Sequence, residues 1–460
     1  MGNALGENLK EKKRAQNFFL CLLFLMSLVV MTQELLPSYF HYNSSEALSA
    51  RVDDSHCDPS TQGFGTHCFG DFYYTLRFAN DSEPWSGPVI PYPPTSLASF
   101  KPFAYLVNLL PNSRFPLLLY LAFGLICSLF PIYHLRRRSR ISLRTCLILG
   151  SFTISSAPIL MALDRGNNQL SLIPFLYLFC ISALESRYKR MFIYGLLLVL
   201  FKPQMILLGA VFVGRREWKK AILWSLTGVG TSILAFLFYP VHFYNNIKDY
   251  ITQVLNYQNF TNAGSPNPAN ISFASTWSTL ERILVTLFPS ISSKDPLGRW
   301  SFYPPLYSVL ILGIVFMSLF FLGKKRSNTI NLIIALLLPI VIPNVSFVYY
   351  LCGLIPILVL ILLEVLTNRP PISTNSSQIA EKGAETMLIF FGSKPLQMTF
   401  SLTCFLLFIP WSIPWRILPG FHNLVWSDIG VNWLFGQSSL VIFFCVLLAQ
   451  GMRKKLSVKV

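Results

Sequence analysis

Asp71 lies in the run Gly70-Asp71-Phe72-Tyr73-Tyr74, at the head of an aromatic stretch. A carboxylate set against apolar surface can be tuned by desolvation to take a proton from an attacking hydroxyl, which makes Asp71 a candidate general base. A solvated loop aspartate would have the same sequence signature. Further on, Asp164-Arg165-Gly166-Asn167-Asn168-Gln169 is a polar turn between two apolar stretches. Lys202-Pro203 interrupts the middle of another apolar stretch. An ionisable group at such a depth is costly, which makes it a functional candidate. Together Lys202 and Arg165 can bind a phosphate, the lysine as a point charge and the arginine as a fork. At a membrane face that phosphate suits a lipid. The alternatives are a polar cap for the turn and a lysine that snorkels to the headgroups.

Two cysteines, Cys57 and Cys68, sit close together in a Gly-containing polar segment. A disulfide between them is expected in an oxidising compartment. With His56 and His67 they could also ligate a metal, but the spacing matches no standard zinc pattern. No metal site and no cofactor are expected. The sequence has no glycine-rich nucleotide loop and no serine nucleophile elbow.

These residues have to be positioned by membrane spans. Of the 460 residues 53% are hydrophobic and 12% charged, whereas soluble domains average roughly 25% charged residues. The deficit runs the whole length. The net charge of +17 would suggest nucleic acid in a soluble protein, but here the basic residues cluster in short segments between apolar stretches. That pattern orients membrane proteins, so nucleic acid is not an expected partner. Residues 16–36 are expected to form a retained first span after Lys10, Lys12, Lys13 and Arg14. An outer loop follows at 37–114 and a second span at 115–135. Residues 145–163 are then expected to form one span, and the chain returns to the basic segment 185–190. Both flanks of residues 191–214 are basic, so this stretch is expected to be a hairpin that turns at Lys202-Pro203 and comes back. A further span leads to a second outer loop at 241–299, and five more spans follow it.

The expected fold is all-α: a polytopic transmembrane helical bundle of about 11–13 membrane segments, including a re-entrant or short helical hairpin, with outer-face loops. Most of the 37 lysines and arginines fall in the segments this topology makes cytoplasmic, so both termini are expected inside. The expected modules are 1–367, catalytic, and 368–460, a cytoplasmic loop plus C-terminal helices.

Several segments, in order, resemble the GT-C superfamily of membrane glycosyltransferases. The branch they resemble most contains the mycobacterial mannosyltransferases and arabinosyltransferases that use polyprenyl-phosphate sugars. The resemblance rests on Asp71-Phe72-Tyr73-Tyr74 followed by Tyr92-Pro93-Pro94, and on the turn Arg165-Gly166-Asn167-Asn168-Gln169. It continues with Lys202-Pro203-Gln204, then Arg215-Arg216-Glu217-Trp218, then Asn270-Ile271-Ser272 with Arg282. One departure stands out: the family often carries Ser-Trp-x-His-Tyr at a later turn. Here the stretch reads Ser346-Phe347-Val348-Tyr349-Tyr350, with no histidine.

The resemblance implies transfer of a hexose or pentose, mannose first among them, from a polyprenyl-phosphate donor to a glycolipid or glycan acceptor, with inversion. Asp71 would be the base, and Lys202 and Arg165 would hold the leaving phosphate. Asn168, Gln169, Asn270, Tyr74 and Tyr349 would contact sugar or acceptor. The site would face outward from a bacterial inner membrane, among membrane lipids. The competing classes are a lipid-linked glycan flippase or transporter, a polysaccharide polymerase or ligase, and a structural subunit.

Overall fold

The computed structural model describes residues 69–87, 90–110, 114–139, 142–260, 272, 276, 304–326, 328–343, 348–356, 394–408 and 431–449. Within them the secondary structure is helical and contains no strand. A chain this apolar leaves its backbone no water to bond, so each spanning segment must satisfy its own N–H and C=O groups in a helix.

Among the described residues, which leave out the expected first span at 16–36, three short helices come first: α1 (Gly70–Ala79), α2 (Pro94–Ala98) and α3 (Lys101–Leu109). The longest, α4 (Phe115–Ser139), ends in Arg136, Arg137 and Arg138, which suit both the helix C-terminus and a basic membrane flank. Phe115–Arg138 and Trp218–Phe238 are each long and apolar enough to cross a membrane.

The expected single span at 145–163 is instead two helices, α5 (Leu143–Ser155) and α6 (Ala157–Arg165), bent by 52°. Pro158 explains the break. It has no N–H to continue the ladder of the first helix, and it is tolerated in the first turn of the second. Ser156 is extended and starts the second helix.

Two helices are buried around most of their circumference, α7 (Gln169–Leu184) and, beyond the second long loop, the helix Asn328–Val341. A helix apolar on every side belongs inside a bundle. The other long helices show large apolar side chains outward, among them Leu118 and Ile126 on α4, and Leu226 and Val229 on the 218–234 helix. In water such a surface would be a liability, whereas lipid accommodates it.

Between these lies the hairpin. Helix α8 (Tyr188–Phe201) rises to Lys202, which is extended before Pro203, and a 3-10 turn (Pro203–Gly209) and α9 (Ala210–Gly214) return. The two feet of the hairpin meet. The Tyr188 hydroxyl donates to Glu217 Oε1 at 2.6 Å, and Arg215 donates to the Ala183 carbonyl at 2.7 Å. Arg138 and Arg187 both pair with Glu185 at the same end. The chain therefore enters and leaves the bundle at one basic end, with Lys202 at the far tip.

The hairpin is held by Trp224 of α10 (Trp218–Leu234), which is fully buried. Its ring fills a slot made by two missing side chains. A Cβ at Gly195 would lie 2.1 Å from the ring, and one at Gly209 would lie 2.3 Å from it. The indole N–H donates to the Ile206 carbonyl at 2.7 Å, so the buried ring has its own donor satisfied.

Candidate functional site

At the tip end, a second cluster of buried aromatics includes Phe72, Trp85, Tyr92, Phe100, Tyr120 and Phe236. Helix α1 is anchored into it at its first residues. Phe69 has left-handed backbone and donates its N–H to the Asp164 carbonyl at 2.6 Å. Asp71 falls in the first turn of α1 and is fully buried. A carboxylate there gains from the positive end of the helix dipole.

The turn after α6 reaches Asp71 through one glycine. Gly166 sits at φ 64°, and a Cβ on it would lie 2.6 Å from the Cβ of Phe72. Only glycine meets both the left-handed backbone and the contact. Asn167, next in the chain, is thereby brought against the carboxylate. Its Nδ2 donates to Asp71 Oδ2 at 2.7 Å and to the Tyr92 hydroxyl at 2.9 Å. Its Oδ1 accepts the Gln169 backbone N–H at 3.0 Å, which fixes which end of the amide faces Asp71.

Tyr92 connects this pair to the hairpin tip. The ammonium of Lys202 lies 5.2 Å from the centre of the Tyr92 ring and 5.1 Å from that of Tyr350. Lys202 is only 5% exposed. Among the described residues no carboxylate lies within ion-pair distance of it. A second link runs through Asn168, whose Nδ2 donates to Ser96 Oγ at 2.6 Å. Ser96 in turn donates to the Phe201 carbonyl, beside Lys202, at 2.9 Å. Asn168 Oδ1 and Gln169 Oε1 are buried acceptors with no partner among the described residues. Such atoms are costly to leave empty and are suited to a hydroxyl-bearing ligand.

Arg165 is buried at the end of α6, beside the turn. Tyr257, on α11 (Phe243–Phe260), has its phenol pushed up mainly by burial. Tyr350 and Asp71 push it further, while Arg165 pulls the other way, so all three lie within its electrostatic reach. Tyr74 is one turn along α1 from Asp71, with its ring on Phe78 at 5.2 Å. Asn270, Cys57, Cys68 and the side chain of Tyr349 lie outside the described residues.

Thus Asp71, Asn168, Gln169, Arg165 and Lys202 gather at one end of the bundle. Sequence reasoning missed the residues that join them, namely Asn167, Tyr92 and Ser96. Asn167 appeared only as part of its turn, and nothing in Asn167-Asn168 says which amide faces the carboxylate. The assembled groups offer a carboxylate that can take a proton, a cation that can neutralise an anion, and amide oxygens that can accept from hydroxyls.

No curated protein and no solved structure matches the chain. A family model described as glycosyltransferase family 87 matches residues 90–348. The match includes Tyr92, the turn at 165–169 and Lys202, and begins after Asp71. It spans more than half of the chain, which accordingly belongs to glycosyltransferase family 87 and is a membrane glycosyltransferase.

Proposed function

We propose that the protein moves a sugar from a polyprenyl-phosphate donor to a hydroxyl of a glycolipid or glycan acceptor, with inversion at the anomeric carbon. The observation that carries this reading is Lys202. A buried ammonium between two aromatic faces, with no carboxylate beside it among the described residues, is costly until an anion arrives. The phosphate of a lipid-linked donor supplies that anion, and the apolar spans around it suit the lipid chain.

The arrangement supports one reading of the step. The acceptor oxygen bonds to the anomeric carbon as its proton passes to Asp71. The bond from that carbon to the phosphate oxygen breaks, and the electron pair leaves with the lipid phosphate. Lys202 and Arg165 stabilise that growing charge, which is where fixed charge helps most. Asn168 and Gln169 accept from sugar hydroxyls, and Tyr74, Asn270 and Tyr349 complete the sugar and acceptor contacts. Mannose is the first candidate sugar, on the strength of the resemblance. The basic end of the bundle is taken as cytoplasmic, which turns the site to the outer face of a bacterial inner membrane.

The test is transfer by purified protein in nanodiscs supplied with polyprenyl-phosphate sugars and extracted membrane glycolipid. Wild type is expected to form a new glycosidic bond, and Asp71→Asn to lose at least about 10²-fold in rate. Full activity in Asp71→Asn would remove Asp71 as the base. Movement of intact donor across the bilayer without a new bond would favour a flippase. A requirement for a diphosphate-linked donor would favour a polymerase or ligase.

A further inference from the structure

Helix α11 follows the span ending at Phe238 and has two unlike faces. Asn246, Tyr250, Gln253 and Tyr257 recur at helical spacing and turn inward. Asn246 Nδ2 donates to the carbonyls of Ser82, Tyr239 and Val241. Gln253 Nε2 donates to those of Trp85 and Gly87. The Tyr250 ring packs on Trp85 at 5.8 Å and on Phe236 at 5.6 Å. The inner face is therefore fixed to the aromatic cluster that carries Asp71.

The opposite face repeats the same spacing two residues earlier, at Tyr244, Lys248, Ile251 and Leu255. A shift of two residues is about 200° around a helix, the far side. Tyr244 is 76% exposed, Ile251 54% and Leu255 59%. A stripe of polar residues, Asn245, Thr252 and Asn256, is exposed beside it. Exposed apolar residues run along the chain from the preceding span, Leu234, Leu237 and Phe238, through Val241 to Tyr244.

We infer that the Tyr244–Ile251–Leu255 face of α11 is a membrane-docking surface whose occupant is the lipid itself, at the boundary of headgroups and acyl chains. Continuity along the chain with the lipid-facing side of the span argues for lipid over a protein partner. The stripe has the make-up of an interfacial helix: an aromatic with a polar tip at one end, aliphatic residues beyond it, and one lysine that can lift its ammonium to the headgroups. Lys248 and Asp249 cancel in charge, so apolar burial holds the helix down, without a need for anionic lipid. The helix thus sets the height of the aromatic cluster, and of Asp71 within it, against the membrane surface.

The test uses full-length protein in phosphatidylcholine nanodiscs, with the photo-crosslinker p-benzoylphenylalanine placed singly at positions 244, 251, 255, 245 and 252. All five side chains are exposed, so the bulky residue meets no core. Mass spectrometry after illumination is expected to show phospholipid adducts at 244, 251 and 255, several-fold above those at 245 and 252. Replacing a third of the lipid with phosphatidylglycerol is expected to leave the yields unchanged. Crosslinks from 251 and 255 to a polypeptide, whether a second copy or a distant part of the same chain, would overturn the inference. So would equal lipid yields at all five positions, or none at 251 and 255.

Discussion

The Asn167 amide donates to Asp71 Oδ2 at 2.7 Å while its own oxygen is held by the Gln169 N–H at 3.0 Å. The second proton of the same nitrogen reaches the Tyr92 hydroxyl at 2.9 Å, and the ring of Tyr92 faces Lys202. A carboxylate and a buried cation on distant parts of the chain are thus joined through one amide and one phenol. In the proposed reaction these are the base and the phosphate holder, and their spacing has to match one sugar.

Asn167 is therefore expected to be a positioning residue. Asn167→Leu removes the donor that holds Asp71 Oδ2 in place. Because Asn167 touches no reacting atom, the loss is expected in kcat, with donor KM little changed. The rate should fall by roughly 10²-fold, the usual cost of a small misplacement. A lower rate matched by an equally lowered unfolding temperature would mean that Asn167 only supports the fold.

Lys202→Met keeps an unbranched stem between the Tyr92 and Tyr350 rings and deletes the charge. A charge-assisted contact is worth about 1.5–3 kcal/mol, so donor KM should rise roughly 10- to 100-fold. Acceptor KM should change little. Titration of the purified variant with polyprenyl phosphate alone checks this directly, and unchanged affinity would refute the phosphate role.

Gly166→Ala faces both a left-handed backbone and a Cβ contact of 2.6 Å with Phe72. The backbone costs about 1–2 kcal/mol and the overlap about 1–3 kcal/mol more. Thermal unfolding should occur well below wild type, and transfer should fall because Asn167 moves with the turn. Gly230→Ala is the control. Nothing lies within 4 Å of its added Cβ, in the interior of an exposed helix, so it should be neutral or slightly stabilising.

Much of this arrangement was legible in the chain because polar groups in apolar stretches are expensive. Lys202 beside Pro203 marked a turn, and the basic flanks at 185–190 and 215–220 required both feet of the hairpin at one end. What remained hidden was set by packing. The bend at Ser156 turns a stretch read as one span into two helices, although Pro158 carried the signal. Of two adjacent asparagines, the one that meets Asp71 is chosen by the left-handed Gly166, and spacing does not reveal that. Tyr92 was read only as part of a Tyr-Pro run, and its place between Asn167 and Lys202 depends on how α2 lies over the hairpin. Helix α11 lay within what was read as an outer loop, since its inner face is carried by Asn246 and Gln253 rather than by aliphatic residues.

The slot around Trp224 gives a prediction that separates packing from polarity. In lipid there is little hydrophobic drive between helices, so shape and dispersion decide the hairpin's stability. Trp224→Ala empties a fully buried site and leaves the Ile206 carbonyl without its indole donor, a change expected to cost about 3–5 kcal/mol. Gly195→Ala should also destabilise, because its new Cβ would lie 2.1 Å from the Trp224 ring. With the ring gone, the tightest remaining contact of that Cβ is Phe179 at 3.2 Å, which a small shift relieves. The double variant should therefore unfold close to Trp224→Ala alone, a coupling of at least about 1 kcal/mol in a double-mutant cycle. Simple additivity in thermal unfolding would mean that the hairpin is held elsewhere, and that Lys202 keeps its height without the tryptophan.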